Sequence, residues 1–256
     1  MDAPPRACVV VPTYNERENV GALVEAIDQL RLPNLTVLFV DDSSPDGTAD
    51  EVRRLAGSRP WVKLLLREGK KGIGSAYQDG FRAAIVETDA SVLVEMDADL
   101  QHPVSALPRL LEAMGGGADV ALGSRYVSGG GISGWSLARR AVSKGANVYS
   151  RVMLGLKVRD ATSGFRAFTR EAAQEVGSAD LPAKGFEFQV ASLYLLKGRA
   201  KVVEVPFVFV SRAAGTSKLG LGDAVRFFFA IARLALWRPA TPGAPGQDRN
   251  TRNRGR

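Results

Sequence analysis

Two periods of apolar residues alternate along the chain, and the switches between them mark out its elements. Ala7–Val11 is a short, wholly apolar run rich in β-branched residues, the pattern of a strand buried on both faces. From Glu18 to Leu30 the period lengthens. Val20, Leu23, Val24, Ile27 and Leu30 recur at helical spacing and fall on one side of a helix. Leu35–Val40 repeats the strand pattern and Thr48–Leu55 the helical one. Val62–Leu66 with Ser75–Val86 makes a third pair, Val92–Met96 predicts a fourth strand and Val120–Gly123 a fifth. Strands alternating with helices of about a dozen residues predict an α/β domain with a mostly parallel sheet. Such sheets take ligands beyond the carboxyl ends of their strands, so the chemistry is sought there.

The pattern changes after the fifth strand. Gly129-Gly130-Gly131 opens a flexible stretch, followed by a helix predicted over Ser136–Leu154. Lys201–Val210 reads as one more strand, with Pro206 placing it at an edge or a bulge. A Gly- and Lys-containing loop, Gly215–Gly222, leads into a last helix over Asp223–Trp237. Phe227, Phe228, Phe229, Ile231, Leu234, Leu236 and Trp237 occupy most of its circumference, while Arg226 and Arg233, seven apart, share a stripe. Burial against the domain and contact with a lipid surface are both compatible with this helix. No apolar run reaches the roughly 18 residues of a spanning helix.

Composition narrows the choices. The 256 residues are 45% hydrophobic, enough for one large or two small cores. Lys and Arg number 34 against 27 acids, a net charge of +7. Residues 239–256 hold four Arg and one Asp among Pro, Gly, Asn and Thr, the composition of a disordered basic tail. Outside the tail there is no basic stripe interleaved with aromatics, which excludes nucleic acid as the expected partner. An anionic membrane surface or a phosphorylated substrate remains. Cys8 is the single cysteine, so no intrachain disulfide forms and a reducing compartment is expected. His102 is the single histidine, which excludes a zinc site built on several imidazoles. Met1–Ala7 lacks the charged-then-apolar pattern of a secretory signal.

Two of the strands end in acids. Val40 runs into Asp41-Asp42-Ser43-Ser44-Pro45-Asp46-Gly47-Thr48, where helix capping accounts for one carboxylate and not three. Met96 runs into Asp97-Ala98-Asp99-Leu100-Gln101-His102-Pro103. In extended chain, Asp97, Asp99 and Gln101 project to the same side. Close like charges favour a cation between them, and oxygen ligands without Cys or His suit Mg2+ or Mn2+, which also bind substrate phosphates. Lys70, Lys71, Gly72 and Gly74, between a strand and its helix, form either an anion site at a helix N-terminus or a solvated loop.

These stretches, with Val9–Glu16, resemble family 2 glycosyltransferases. More narrowly, Gly123-Ser124-Arg125-Tyr126, Asp160–Arg166 and Gly215-Thr216-Ser217-Lys218-Leu219 are similar to the dolichol-phosphate mannose synthases, and the Arg-, Ala- and Gly-rich composition looks like their actinobacterial members. The resemblance runs in order from Val9 to Leu219. It implies a GT-A catalytic domain over residues 1–214, an acceptor loop and interfacial helix over 215–238, and the tail. It also implies inverting transfer of mannose from GDP-mannose to a polyprenyl monophosphate by a peripheral enzyme on the cytoplasmic membrane face, alone or with a membrane-anchoring partner. On that pattern Pro12, Tyr14 and Glu16 line the nucleoside pocket and Asp42 binds the base. Asp97, Asp99 and Gln101 hold the metal, and Ala98, Ser163 and Gly164 contact the donor. Arg125 and Arg139 bind the acceptor phosphate, while Arg212 and Lys218 serve donor and catalysis. A phosphate monoester is already largely ionised near neutral pH, so its attack on the anomeric carbon needs cations rather than a general base. Glu187 marks where many relatives carry an acidic pair. The alternatives are a glucosyltransferase using UDP-glucose, whose known forms commonly carry two spanning helices, and a nucleotide-binding regulator without catalysis. A polysaccharide synthase is disfavoured by the absence of Gln-x-x-Arg-Trp.

Overall fold

In the computed structural model, which describes residues 5–210 and 221–237, the alternation becomes one seven-stranded sheet. Its strands are β1 (Ala7–Thr13), β2 (Leu35–Asp41), β3 (Val62–Leu66), β4 (Val92–Glu95), β5 (Val120–Ser124), β7 (Arg166–Thr169) and β8 (Val202–Pro206), in the spatial order β3-β2-β1-β4-β7-β5-β8. All pairs are parallel except those of β7, which runs antiparallel to both β4 and β5. Side chains alternate between two cores. Cys8 and Val10 of β1 face one, with α3 (Ile73–Glu87), α5 (Leu137–Leu154), α6 (Arg170–Ser178), α7 (Phe188–Leu196) and α8 (Leu221–Leu236). Val9 and Val11 face the other, with α1 (Arg17–Gln29), α2 (Thr48–Ala56) and α4 (Leu107–Gly115).

The strands and helices expected from periodicity are present, with ends shifted by a few residues. Three differences bear on the site. β4 stops at Glu95, and Ala98–Leu100 is a turn with Leu100 at φ 60°. The expectation that Asp97, Asp99 and Gln101 share one side of an extended chain is therefore overturned; they lie around a turn, not along a pleat. Next, the 201–210 segment is two strands. β8 is an edge strand, as Pro206 suggested, and β9 (Val208–Val210) leaves to pair with β6 (Gly131–Ser133) in a second small parallel sheet. The glycine run at 129–131 is thus partly strand rather than a flexible stretch. Finally, β7, α4, α6 and α7 were not anticipated. β7 has four residues, too few to show a period, and almost all of α7 is buried around its whole circumference, leaving no amphipathic stripe to read.

Among the described residues no helix is long and apolar enough to cross a membrane. Ile231 and Leu234 of α8 are buried in the main core, and its Trp237 end meets the Tyr194 ring. Phe229 and Leu236 are 74% and 86% exposed, on the same side as Arg226 and Arg233. The acceptor loop with Arg212 and Lys218 and the basic tail lie outside the described residues.

Candidate active site

The carboxyl ends of β1, β2 and β4 converge at one edge of the sheet, and each runs into a loop holding a non-glycine residue at positive φ: Asn15 at 58°, Ser43 at 55° and Leu100 at 60°. Backbone of this kind persists only where surrounding bonds enforce it, and the acids of the second loop supply such bonds. Asp41 is wholly buried, accepting from the Thr13 hydroxyl (3.0 Å) and the Ser44 N–H (2.9 Å). Asp46 accepts from the N–H groups of Arg17 (3.1 Å) and Thr48 (3.0 Å). Although burial opposes ionisation, these bonds and that of the Thr48 hydroxyl hold its carboxyl below the ordinary range. Two of the three acids are therefore fasteners of the loop.

Asp42 differs. Its carboxylate receives Arg67 Nη1 at 2.6 Å, in a buried pair. Burial raises its carboxyl above the ordinary range, against the pull of the Arg67 charge. Arg67 also reaches Asp79 (2.8 Å) and Ser75 (2.6 Å), joining the end of β3 to α3 and to the end of β2. Beside this cluster, Lys70 Nζ stands 4.4 Å from the centre of the Tyr14 ring. Pro12 and Glu16 flank Tyr14, and Glu16 accepts from the Asn19 amide at 2.6 Å. In the 70–74 loop Lys70 and Lys71 are exposed, while Gly74 is buried. The Gly74 N–H donates to the Lys184 carbonyl (3.0 Å), and a Cβ on Gly72 (φ 97°) would lie 2.4 Å from that same oxygen.

At the end of β4, Asp97, Asp99 and Gln101 are half-buried around the turn, and Ala98 is packed beneath it. Tyr77 donates to Asp97 at 3.1 Å, Asp99 accepts the Gln101 N–H at 3.0 Å, and the Gln101 amide donates to the Val210 carbonyl at 3.3 Å. His102 is buried against the Phe165 ring, and its Nδ1 accepts the Asp97 N–H at 3.2 Å. Burial lowers its pKa against the pull of Asp97 and Asp99. The neutral ring with an acceptor Nδ1 pins the turn from behind. The donor set fits a hard divalent cation: three half-buried oxygen-bearing side chains on one turn, two of them carboxylates, with neither thiolate nor imidazole facing outward.

The 160–166 segment closes the site from the other side. Gly164 packs beside His102 and Gln189, so the Ser163-Gly164 turn adjoins the Asp97–His102 loop. Arg166 is wholly buried and donates to the carbonyls of Ala161 (2.8 Å), Ser163 (2.7 Å) and Gln189, and to the Ser192 hydroxyl (2.9 Å). One guanidinium thus ties the turn to the start of α7. Arg125, at the end of β5, forks onto Asp160 through Nε and Nη2, both at 2.7 Å. Removing one partner of a buried pair of this geometry costs about 3–5 kcal/mol. Arg125 and Arg139 lie 5.7 and 4.0 Å from the Trp135 ring centre. Phe165 and Phe168 are core, and Glu187 turns its carboxylate back onto the Gly185 N–H at 3.0 Å.

Sequence reasoning missed Arg67, Tyr77, Glu95, Arg166 and Gln189. Glu95, the last residue of β4, is wholly buried, and neither carboxyl oxygen has a hydrogen-bond partner. Burial raises its pKa to about 8, against the Arg166 charge and the neighbouring Gln189 amide. An acid inside an otherwise apolar strand run was the available signal, and it was passed over for the pair that follows.

A sheet of this order, with acids at the ends of β2 and β4 and the antiparallel β7 wedged beside β4, is a GT-A glycosyltransferase. Solved structures share the fold at low identity. Glucosyl-3-phosphoglycerate synthase from Mycobacterium tuberculosis is 20% identical with a TM-score of 0.66, covering 91% of this chain and 80% of its own. A mannosyltransferase from Pyrobaculum calidifontis, in complex with GDP-Man and Mn2+, is 19% identical with a TM-score of 0.56, covering 90% and 70%. The family model described as Glycosyl transferase family 2 matches residues 8–177, and the chain belongs to that family. Among its relatives, polyprenol monophosphomannose synthase of Mycolicibacterium smegmatis is 41% identical over 90% of this chain and 87% of its own. Undecaprenyl-phosphate mannosyltransferase of Micrococcus luteus is 41% identical over 86% and 91%. Dolichol-phosphate mannosyltransferase of Pyrococcus furiosus is also 41% identical, over 91% of this chain, which spans 64% of that longer protein.

Proposed function

We propose that this enzyme transfers mannose from GDP-mannose to a polyprenyl monophosphate, with inversion, as a peripheral protein on the cytoplasmic face of a membrane. Three relatives at 41% identity, each named for mannosyl transfer to a polyprenyl phosphate or its dolichol counterpart, support the donor and the acceptor class. Transfer of glucose from UDP-glucose finds no comparable support among them. The observation that carries the acceptor side is the sharing of Trp135 by Arg125 and Arg139. An ionised phosphate needs charge and orientation there, and Glu187 turns its carboxylate onto its own loop.

In this reading Tyr14, Pro12, Glu16 and Asp42 receive the nucleoside, with Arg67 setting the orientation of Asp42. Asp97, Asp99 and Gln101 hold Mg2+ or Mn2+ against the diphosphate, where the ion supplies Lewis-acid stabilisation of the leaving group. Ala98, Ser163 and Gly164 position the sugar, and Arg166 and His102 hold those turns in place. A phosphate oxygen of the acceptor forms the bond to the anomeric carbon as the bond to GDP breaks, and GDP departs with the electron pair. Arg212 and Lys218 are assigned to the diphosphate and the reacting phosphate. A membrane-anchoring partner is compatible with this arrangement.

The test is transfer of radiolabelled sugar from GDP-mannose to polyprenyl phosphate with Mg2+ or Mn2+, then with EDTA, alongside UDP-glucose and an Asp99→Ala chain. The expected result is a β-linked lipid product from GDP-mannose alone, lost with EDTA and reduced at least about a hundredfold in the variant. An α-linked product would refute inversion, and product only from UDP-glucose would refute the donor.

A further inference from the structure

Gly74, Tyr77 and Gly80 of α3 are three apart and share one face of the helix. The two glycines sit at close contacts. A Cβ on Gly74 would lie 2.6 Å from Phe188 Cβ, and α3 meets Val10 of β1 at Gly80 just as tightly. Between them Tyr77 is wholly buried in the main core. Its ring stacks on Phe188, with centroids 6.1 Å and planes 11° apart, and meets Phe81 at 6.5 Å. Helix and ring have no room to shift, so the packing sets the position of the phenol oxygen.

That oxygen donates its proton to Asp97 Oδ1 at 3.1 Å. A hydroxyl in an apolar core is costly unless it is bonded, and a phenylalanine would fill the same space without that demand. The bond ties α3 to the turn beyond β4, 20 residues further along the chain. Asp97 keeps 36% of its side-chain surface open. It is gripped at two points, because His102 Nδ1 accepts its backbone N–H at 3.2 Å. The histidine fixes where the Asp97 side chain begins, and the phenol fixes which way its carboxylate turns.

We propose that Tyr77 is a positioning residue for the divalent cation: its phenol holds the Asp97 carboxylate in one orientation before the ion arrives. Tyr77 touches neither ion nor substrate. A ligand already oriented need not be ordered when the metal binds, and partners of ligating carboxylates are worth about tenfold or more in metal affinity. The inference rests on the assignment of the cation to the Asp97–Gln101 turn and is independent of the acceptor.

The experiment measures GDP binding to the full chain by calorimetry, first with EDTA and then with Mn2+. The parent is compared with Tyr77→Phe, Asp99→Ala and Phe168→Leu. Tyr77→Phe keeps the ring and removes the phenol oxygen alone. Phe168 is wholly buried in the same core, edge-on to Phe81 at 5.5 Å, so its substitution loosens the packing and leaves the hydroxyl in place. Mn2+ should tighten GDP binding by the parent. Tyr77→Phe is expected to match the parent in EDTA, which reports a folded pocket, and to lose at least about tenfold of the gain from Mn2+. Asp99→Ala should lose the gain and Phe168→Leu should keep it. A parental gain in Tyr77→Phe, with Asp99→Ala deficient, would overturn the role of Tyr77 and leave the metal turn standing. A gain retained by Asp99→Ala, or absent from the parent, would remove the cation from the turn and overturn both readings. Equal losses in Tyr77→Phe and Phe168→Leu, or weaker binding by Tyr77→Phe in EDTA, would reduce the effect to packing and overturn the proposal too.

Discussion

Glu95 shows how much of the site's chemistry depends on residues that touch no ligand in the proposed mechanism. With its folded pKa near 8 against an ordinary 4.5, the folded chain holds this proton more tightly than the unfolded chain does. The resulting stabilisation is complete below about pH 4.5 and is lost as pH rises through about 8. The two Glu95 carboxyl oxygens are buried without a hydrogen-bond partner, so the neutral form avoids an uncompensated buried charge. A Glu95→Gln chain keeps the shape but has no proton to lose. Its melting temperature, measured with EDTA, should gain on the parent's between about pH 5 and pH 9; parallel profiles would refute a buried neutral acid. The sequence displayed Asp97, Asp99, Arg125 and Arg139 plainly because motifs carry them. It concealed Arg67 and Arg166, since whether an arginine is solvated or wholly enclosed depends on strands far apart in the chain.

Among the elements, α3 is placed by contact rather than propensity. Gly80 lies on β1, where a Cβ would come within 2.3 Å of Val10 Cγ1 and 3.0 Å of Val40 Cγ2. Alanine gains about 1 kcal/mol in helix propensity over glycine. Yet β-branched side chains in a packed core cannot step aside, and overpacking costs about 1–3 kcal/mol. Gly80→Ala should therefore lower the melting temperature in a thermal unfolding scan, and a rise would mean that α3 sits farther from the sheet. The same distinction governs what the sequence disclosed. α1 and α3, with one face to solvent, announced themselves by their period. α7 is buried almost all round and β7 is too short, so neither left a readable trace, although Arg166 of β7 and Gln189 of α7 meet behind the site.

At the level of the whole molecule, α8 is part of the catalytic body. Ile231 is fully enclosed by the main core and Phe229 faces outward. Ile231→Ala should cost about 2–5 kcal/mol and Phe229→Ala within about 0.5 kcal/mol, compared by denaturant titration. Were α8 a detachable anchor, both would leave the melting of the domain unchanged. Its sequence offered burial and lipid contact equally, and Ile231 and Leu234 show the burial.

The antiparallel strand β7 has a further consequence. β5 departs from the site edge at Ser124, and the chain returns to that same edge at Arg166, hydrogen-bonded to the neighbouring strand, with the Gly123 N–H meeting the Phe165 carbonyl at 2.8 Å. Everything between, residues 125–165, is a closed excursion whose two ends are stitched together, and it carries Arg125, Arg139, α5 and the Ser163-Gly164 turn. The strands that would receive the nucleotide lie wholly outside it. A relative's equivalent segment grafted between Ser124 and Arg166 would exchange Arg125, Arg139 and the Ser163-Gly164 turn together and leave β1 to β4 untouched.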